Sequence, residues 1–177
     1  MEVAGGRRGD GRSAGARTVG AGMVDARGMR AWRAFLRAHS LVLRALEAEL
    51  EAAHELPLAS YDVLVQLAEA PERRLRMSDL ADAVLLSRSG LTRLVDRLER
   101  EGLVARQSCP SDARGTLAAL TPAGLARLRR AAGTHLRGVA RHFTSPYTSA
   151  ELDALADLLG RLAPPDPVPP ARACGQG

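Results

Sequence analysis

The stretch from Ser78 to Thr121 constrains this chain more than any other: SDLADAVLLSRSGLTRLVDRLEREGLVARQSCPSDARGTLAALT. Ser78 heads a short helical segment, Asp79–Val84, and Leu85–Leu86 break it. Ser87 heads a second helical segment that runs to about Glu101 and stops at Gly102. Within that segment Leu91, Leu94, Val95 and Leu98 recur at helical spacing and form an inner stripe. Two short strand-like runs follow, Leu103–Gln107 and Thr116–Leu120, on either side of the polar loop Ser108–Gly115 with its Pro110 and Gly115. Helix, tight turn, helix and two-stranded ribbon in that order make a winged helix-turn-helix, whose second helix fits a DNA major groove.

Helices flank this motif on both sides. From Met29 to about Ala53, Trp32, Phe35, Leu36, His39, Leu43, Leu46 and Leu50 lie close to one line of a helical wheel. Pro57 separates this helix from a second, Tyr61–Ala70, which Ser60 is expected to cap, Pro71 to end, and Val63, Leu64 and Leu67 to anchor inward. The segment from Ala70 to Met77 reads as a loop or short extended stretch, the place where many winged helices put a third, edge strand. Thr121-Pro122 opens a helix with Leu125, Leu128, Ala132, Leu136 and Val139 on its apolar face. Gly133 and Gly138 weaken that helix or permit a bend or close packing. Thr148–Glu151 is a capping box for a last helix carrying Leu152, Leu155, Leu158, Leu159 and Leu162. The expected fold class is mainly α with a small β-ribbon. Residues 1–28, rich in Gly and Arg, and the Pro-rich 164–177 are expected to be disordered.

Composition narrows the function. Apolar residues make up 46% of the 177, enough for a real core, and with only 3% aromatics that core is Leu, Val and Ala. No apolar run of membrane-spanning length is present and the N-terminus lacks the apolar centre of a secretory signal, so no membrane partner is expected. Every one of the 25 basic residues is Arg, whose fork suits phosphates and guanine edges. The net charge of +5 fits a polyanion partner only weakly. Nine Arg face six Asp and Glu between Arg73 and Arg114, a modest DNA-binding surface. Cys109 and Cys174 cannot build a disulfide framework or a zinc site, and a reduced cytoplasmic setting follows. Cys109 reads as an incidental exposed thiol, although Arg106 and Arg114 nearby would favour its thiolate. His39, His54, His135 and His142 lack metal-ligand spacing, and no phosphate loop or nucleophile motif is present. No metal, cofactor or enzyme activity is expected.

The second motif helix divides into faces. Opposite its Leu/Val stripe lie Ser89, Arg93, Asp96 and Arg100, with Thr92 beside them and Arg88 near the N-terminus. Residues near that end reach base edges, which puts Ser87, Arg88, Ser89, Thr92 and Arg93 in the groove. Arg93 or Arg88 can pair with guanine, a contact worth about 1–3 kcal/mol of discrimination, and the Thr92 methyl can touch thymine. Arg97 and Arg100 are better placed for phosphates. Arg114, in the ribbon loop, is set to enter a narrow minor groove with Asp112 holding its guanidinium; a solvated turn with a local ion pair is the alternative.

These residues resemble the MarR (multiple-antibiotic-resistance regulator) family of bacterial transcription factors. The resemblance rests on LADAVLLSRSGLTRLVDRLEREGLV and on the wing pattern Asp112-x-Arg114-x5-Leu120-Thr121, and it extends over residues 29–163. It implies a winged core at 58–121 and dimerisation helices at 29–56 and 122–163, interleaved between two subunits on a pseudo-palindromic operator. It carries the family's wing roles onto Arg114 and Asp112; Ala113 departs from the second basic residue many members have there. It further implies a repressor released by a small aromatic or anionic effector bound between the dimer helices and the DNA-binding lobe. Trp32, Phe35, His39, His54 and Tyr61 are the candidates to line such a pocket, the alternative for each histidine being a core or interface position. A dimer also has a physical basis, because the outer helices carry more apolar surface than the winged core can cover. The rival function is a winged-helix protein-interaction module without specific DNA reading.

Overall fold

The computed structural model describes residues 24–109 and 112–162, and the side chains of Cys109 and 112–115 lie outside that description. Two compact units divide the chain after Phe35. The described part of the first holds the start of helix α1 (Ala26–His54). The helix begins three residues before the expected Met29. The Asp25 carboxylate accepts from the Gly28 N–H at 2.6 Å and the Asp25 carbonyl accepts from the Met29 N–H at 2.9 Å. Trp32 and Phe35 stack with ring centroids 6.0 Å apart.

The second unit is a winged helix-turn-helix with a helical flank. Its core gathers Leu46 and Leu50 of α1, Val63, Leu64 and Leu67 of α2 (Leu58–Glu69), and Leu80 of α3 (Met77–Ala83). Leu91, Val95 and Leu98 of α4 (Arg88–Arg100) complete it, as the helical spacing predicts, while Leu94 is half-buried against it. Three strands form one antiparallel sheet in the order β1-β3-β2: β1 (Arg74–Arg76), β2 (Val104–Cys109) and β3 (Asp112–Leu120). The edge strand expected between Ala70 and Met77 is therefore β1, pairing Leu75 with Ala118.

Several local expectations are corrected. Ser60 does not cap α2. That helix starts at Leu58, after Pro57 has already supplied the extended cap conformation, and the Leu58 N–H donates to Glu47 Oε2 of α1 at 2.7 Å. Ser78 does not cap α3, because β1 feeds straight into the helix and Arg76 takes the cap position. Ser78 lies in the first turn with its hydroxyl on Asp79. Ser87 does cap α4, accepting from the Gly90 N–H at 3.1 Å. At the other end Gly102 has φ +71, and the Leu103 and Gly102 N–H groups donate to the carbonyls of Leu98 and Glu99, a Schellman stop.

The wing is longer than its sequence suggests. Most of the eight residues read as a loop belong to the strands: β2 runs to Cys109, β3 starts at Asp112, and the register shifts between Ser108 and Cys109. A two-stranded ribbon pairs through its backbone, so polar side chains do not end it and apolar alternation does not mark it.

Thr121 caps α5 (Pro122–Val139) through the Gly124 N–H at 3.0 Å. The apolar face of α5 is rotated from the expected one. Gly124, Leu128 and Ala131 are buried, whereas Leu136 is 64% exposed. After a π-helical turn at Ala140–Thr144, the Thr148–Glu151 capping box opens α6 (Ser149–Gly160), none of whose residues is buried. No helix among the described residues is long and apolar enough to cross a membrane.

Candidate nucleic-acid interface

The candidate reading face is the side of α4 opposite its buried stripe. Arg88, Ser89, Thr92, Arg93 and Arg100 are exposed there on a helix whose other side is locked into the core. Leucine and valine spacing on one side of a 13-residue helix forces this division. Local hydrogen bonds then sort the polar side chains. The Ser87 hydroxyl is engaged as the cap and lies 3.3 Å from Ser89 Oγ. Thr92 Oγ1 donates to the Arg88 carbonyl at 2.8 Å, which leaves its methyl group unbonded. Arg100 Nε donates to the Asp96 carbonyl at 3.2 Å. The side chains of Arg88 and Arg93 make no hydrogen bond or ion pair among the described residues, so both forks are available to a partner.

Arg97 is differently committed. Its Nη2 donates to the buried Ser60 Oγ at 2.5 Å and its Nε lies 3.8 Å from Glu101, which ties α4 to α2. Ser60 thus acts as an acceptor for a residue 37 positions away, not as a cap. On the wing, Asp112 and Arg114 belong to β3, and their side chains lie outside the described residues, as does that of Cys109.

Arg106 is the residue that sequence spacing did not single out for this surface. It projects from β2 onto α4, with Nη1 2.6 Å from Glu99 Oε2 and Nη2 2.5 Å from Asp96 Oδ1. Its backbone N–H donates to Glu99 Oε1 at 3.0 Å, and Nη2 reaches the Thr92 carbonyl at 3.4 Å. The Arg106 backbone N–H and then its guanidinium hold the Glu99 carboxyl below the ordinary carboxylate range. Asp96 and Glu99 mark an acidic spot on α4 in the sequence, but nothing in their spacing ties it to an Arg on the following strand.

Each of the five candidate effector residues lies on α1 or α2. His54 Nε2 is 2.8 Å from Thr134 Oγ1, and the ring of buried Tyr61 packs against that of His135, tilted by 30° with centroids 4.4 Å apart. Burial pushes the Tyr61 hydroxyl up and the His135 imidazole down. Trp32 and Phe35 stack on each other, both partly exposed, and His39 is exposed on α1. A cleft of about 190 Å³ lies between α2 and the α3–α4 turn, lined by Asp62, Val65, Gln66, Ala83, Val84 and Leu85, and includes none of the five. No cluster of three or more potential metal ligands occurs among the described residues.

Comparison with known proteins agrees with this architecture. A family model described as MarR family matches residues 54–115. Sco3205, a MarR family transcriptional regulator from Streptomyces coelicolor solved in complex with DNA, is 34% identical with a TM-score of 0.75, over 81% of this chain and 96% of that one. The HTH-type transcriptional regulator PecS of Dickeya dadantii (strain 3937) is 30% identical over 128 residues, 71% of this chain and 75% of PecS. CouR from Rhodococcus jostii RHA1, solved bound to p-coumaroyl-CoA, is 28% identical with a TM-score of 0.68, over 81% of this chain and 98% of that one.

Proposed function

The chain belongs to the MarR family of transcriptional regulators, and from that premise we propose that it is a sequence-specific regulator that binds duplex DNA as a homodimer, represses from a pseudo-palindromic operator, and is released by a small effector. The observation that carries the reading is the exposed face of α4. Arg88 and Arg93 stand there uncommitted, beside Ser89 and Thr92, on a helix whose far side is buried. Such a pair of forks can read guanine edges while Arg100 meets phosphate. Arg114 on β3 is the proposed minor-groove contact, steadied by Asp112.

The dimer draws support from α6, which buries none of its leucines within one chain. A 12-residue helix of that kind is not stable unpartnered in water. Pairing two chains also places two recognition helices about one DNA turn apart, roughly 34–36 Å. The effector is a small aromatic or anionic molecule, a class consistent with the aromatic thioester bound by CouR. Its binding and that of DNA are reciprocally coupled through the dimer.

The test is binding to duplexes from the gene's own upstream region at two salt concentrations, with wild type beside an Arg93→Ala/Arg114→Ala double variant. Selective binding that weakens steeply with salt, and falls at least about tenfold in the variant, is expected. One observation favours a second reading, a protein-interaction module: acidic side chains of the chain itself occupy Arg106, and Arg97 is tied to Ser60 and Glu101. Binding no better than to random DNA at low salt, across a genomic pool, would establish that module in place of the regulator.

A further inference from the structure

Arg106 is a cation on the proposed DNA-binding lobe that is not free to meet DNA. It sits between two carboxylates, Asp96 at 2.5 Å and Glu99 at 2.6 Å, so the trio carries a net negative charge. Its acceptors Thr92, Asp96 and Glu99 run along two turns of α4, the same helix that carries Arg88 and Arg93. Beyond Arg106 the ribbon continues through exposed Gln107 and Ser108 towards its tip. A two-stranded ribbon is marginal by itself and needs a tie to something rigid.

We propose that Arg106 is a positioning residue, bracing the wing against the recognition helix so that the two engage DNA as one body, and not a phosphate contact. This rests on the DNA-binding reading above and names what sets the geometry of that surface. The brace needs the planar fork. Nη1 serves Glu99 while Nη2 serves Asp96 and the Thr92 carbonyl, and the backbone N–H adds a second bond to Glu99. A lysine has the charge but a single nitrogen, which cannot span both carboxylates in this geometry.

The experiment uses the full chain in four forms: wild type, Arg106→Lys, Arg106→Met and Asp96→Asn/Glu99→Gln. Each is titrated with the upstream-region duplex that wild type selects and with random duplex over a salt series, below its own melting transition. Wing amide hydrogen exchange is followed without DNA. Bracing predicts that Arg106→Lys and the Asp96→Asn/Glu99→Gln pair both lose about tenfold or more in the ratio of specific to random binding, the equivalent of one bidentate base contact. Arg106→Lys keeps its random-duplex affinity and salt slope, and exchange from Gln107 to Thr116 accelerates about tenfold or more in both. A phosphate contact predicts the opposite for the two designs. Arg106→Lys would bind as wild type, and removing the acids would tighten binding by releasing the cation. Either of those results overturns the proposal, as does unchanged wing exchange. Loss of random-duplex binding in parallel with a collapsed melting curve in Arg106→Met, with Arg106→Lys normal, would reduce Arg106 to a folding role. Failure of wild type itself to select any duplex sinks the DNA-binding reading, and shows in a different arm from failure of the brace.

Discussion

Gly124 shows how a single position can be dictated by a residue far away in sequence. A Cβ there would lie 2.1 Å from the Leu103 carbonyl oxygen and 2.8 Å from Leu120 Cδ1. The obstruction is backbone, and the Leu103 oxygen is itself held by the Thr121 N–H at 3.2 Å and the Thr121 hydroxyl at 3.1 Å, so it cannot swing aside. Gly124→Ala is expected to destabilise the fold by about 3 kcal/mol, at the costly end for overpacking, read from urea melts. A variant within about 0.5 kcal/mol of wild type would mean that α5 shifts freely on the wing base. The start of α5 was legible from Thr121-Pro122, because a cap and a first-turn proline act on neighbours. The need for glycine three residues later was not, because it comes from the close approach of Leu103. Ser60 failed for the same kind of reason. Its position after Pro57 looks like a cap, while its partner is Arg97 of α4.

At the scale of elements, the corner between α1 and α2 is where electrostatics and stability meet. Glu47 of α1 receives the first N–H of α2, which holds the corner, yet its charge also faces Asp62. Burial first, and then Glu47, raise the Asp62 carboxyl to about 6. A carboxyl whose folded pKa is raised stabilises the fold fully only below its ordinary value near 4, and that contribution is lost as pH rises through about 6. Asp62→Asn should therefore raise stability at pH 7 and flatten the decline between about pH 4 and 6. The gain is up to about 1 kcal/mol, since Asp62 is exposed enough for solvent to screen it. Thermal melts from pH 4 to 8 decide it, and curves that stay parallel across the range would remove Asp62 from the account. The helices themselves were largely readable from spacing and caps, whereas the length of the wing was not. Ribbon pairing is backbone chemistry, and Ser108–Gly115 carries turn residues that do not report it.

Across the whole molecule, charge and apolar surface are both unevenly spread. Residues 1–46 hold nine Arg against three acids, and residues 47–177 hold sixteen against seventeen, so the net +5 belongs to the N-terminal quarter. Reading by the winged region therefore depends on a few well-placed forks more than on a strong field. The apolar excess lies on the outer helices, where Leu136 is 64% and Leu158 54% exposed in the single chain. The chain is expected to sediment as a dimer at micromolar concentration, and Leu136→Glu/Leu158→Glu to shift it towards monomer with a lower melting temperature. A wild-type monomer, or a double variant that still dimerises fully, would place the interface elsewhere.

By itself the sequence determined the winged helix-turn-helix, its order of elements, the inner stripe of α4 and the caps at Ser87, Thr121 and Thr148. Each depends on residues within a turn or two of one another, whose periodicity and hydrogen-bonding chemistry act before any tertiary contact forms. Only the tertiary structure decided that Arg97 turns to Ser60, that Arg106 spans Asp96 and Glu99, and that Gly124 lies against Leu103. Those pairings join elements whose approach is set by packing of the common core, and local spacing holds no record of that distance.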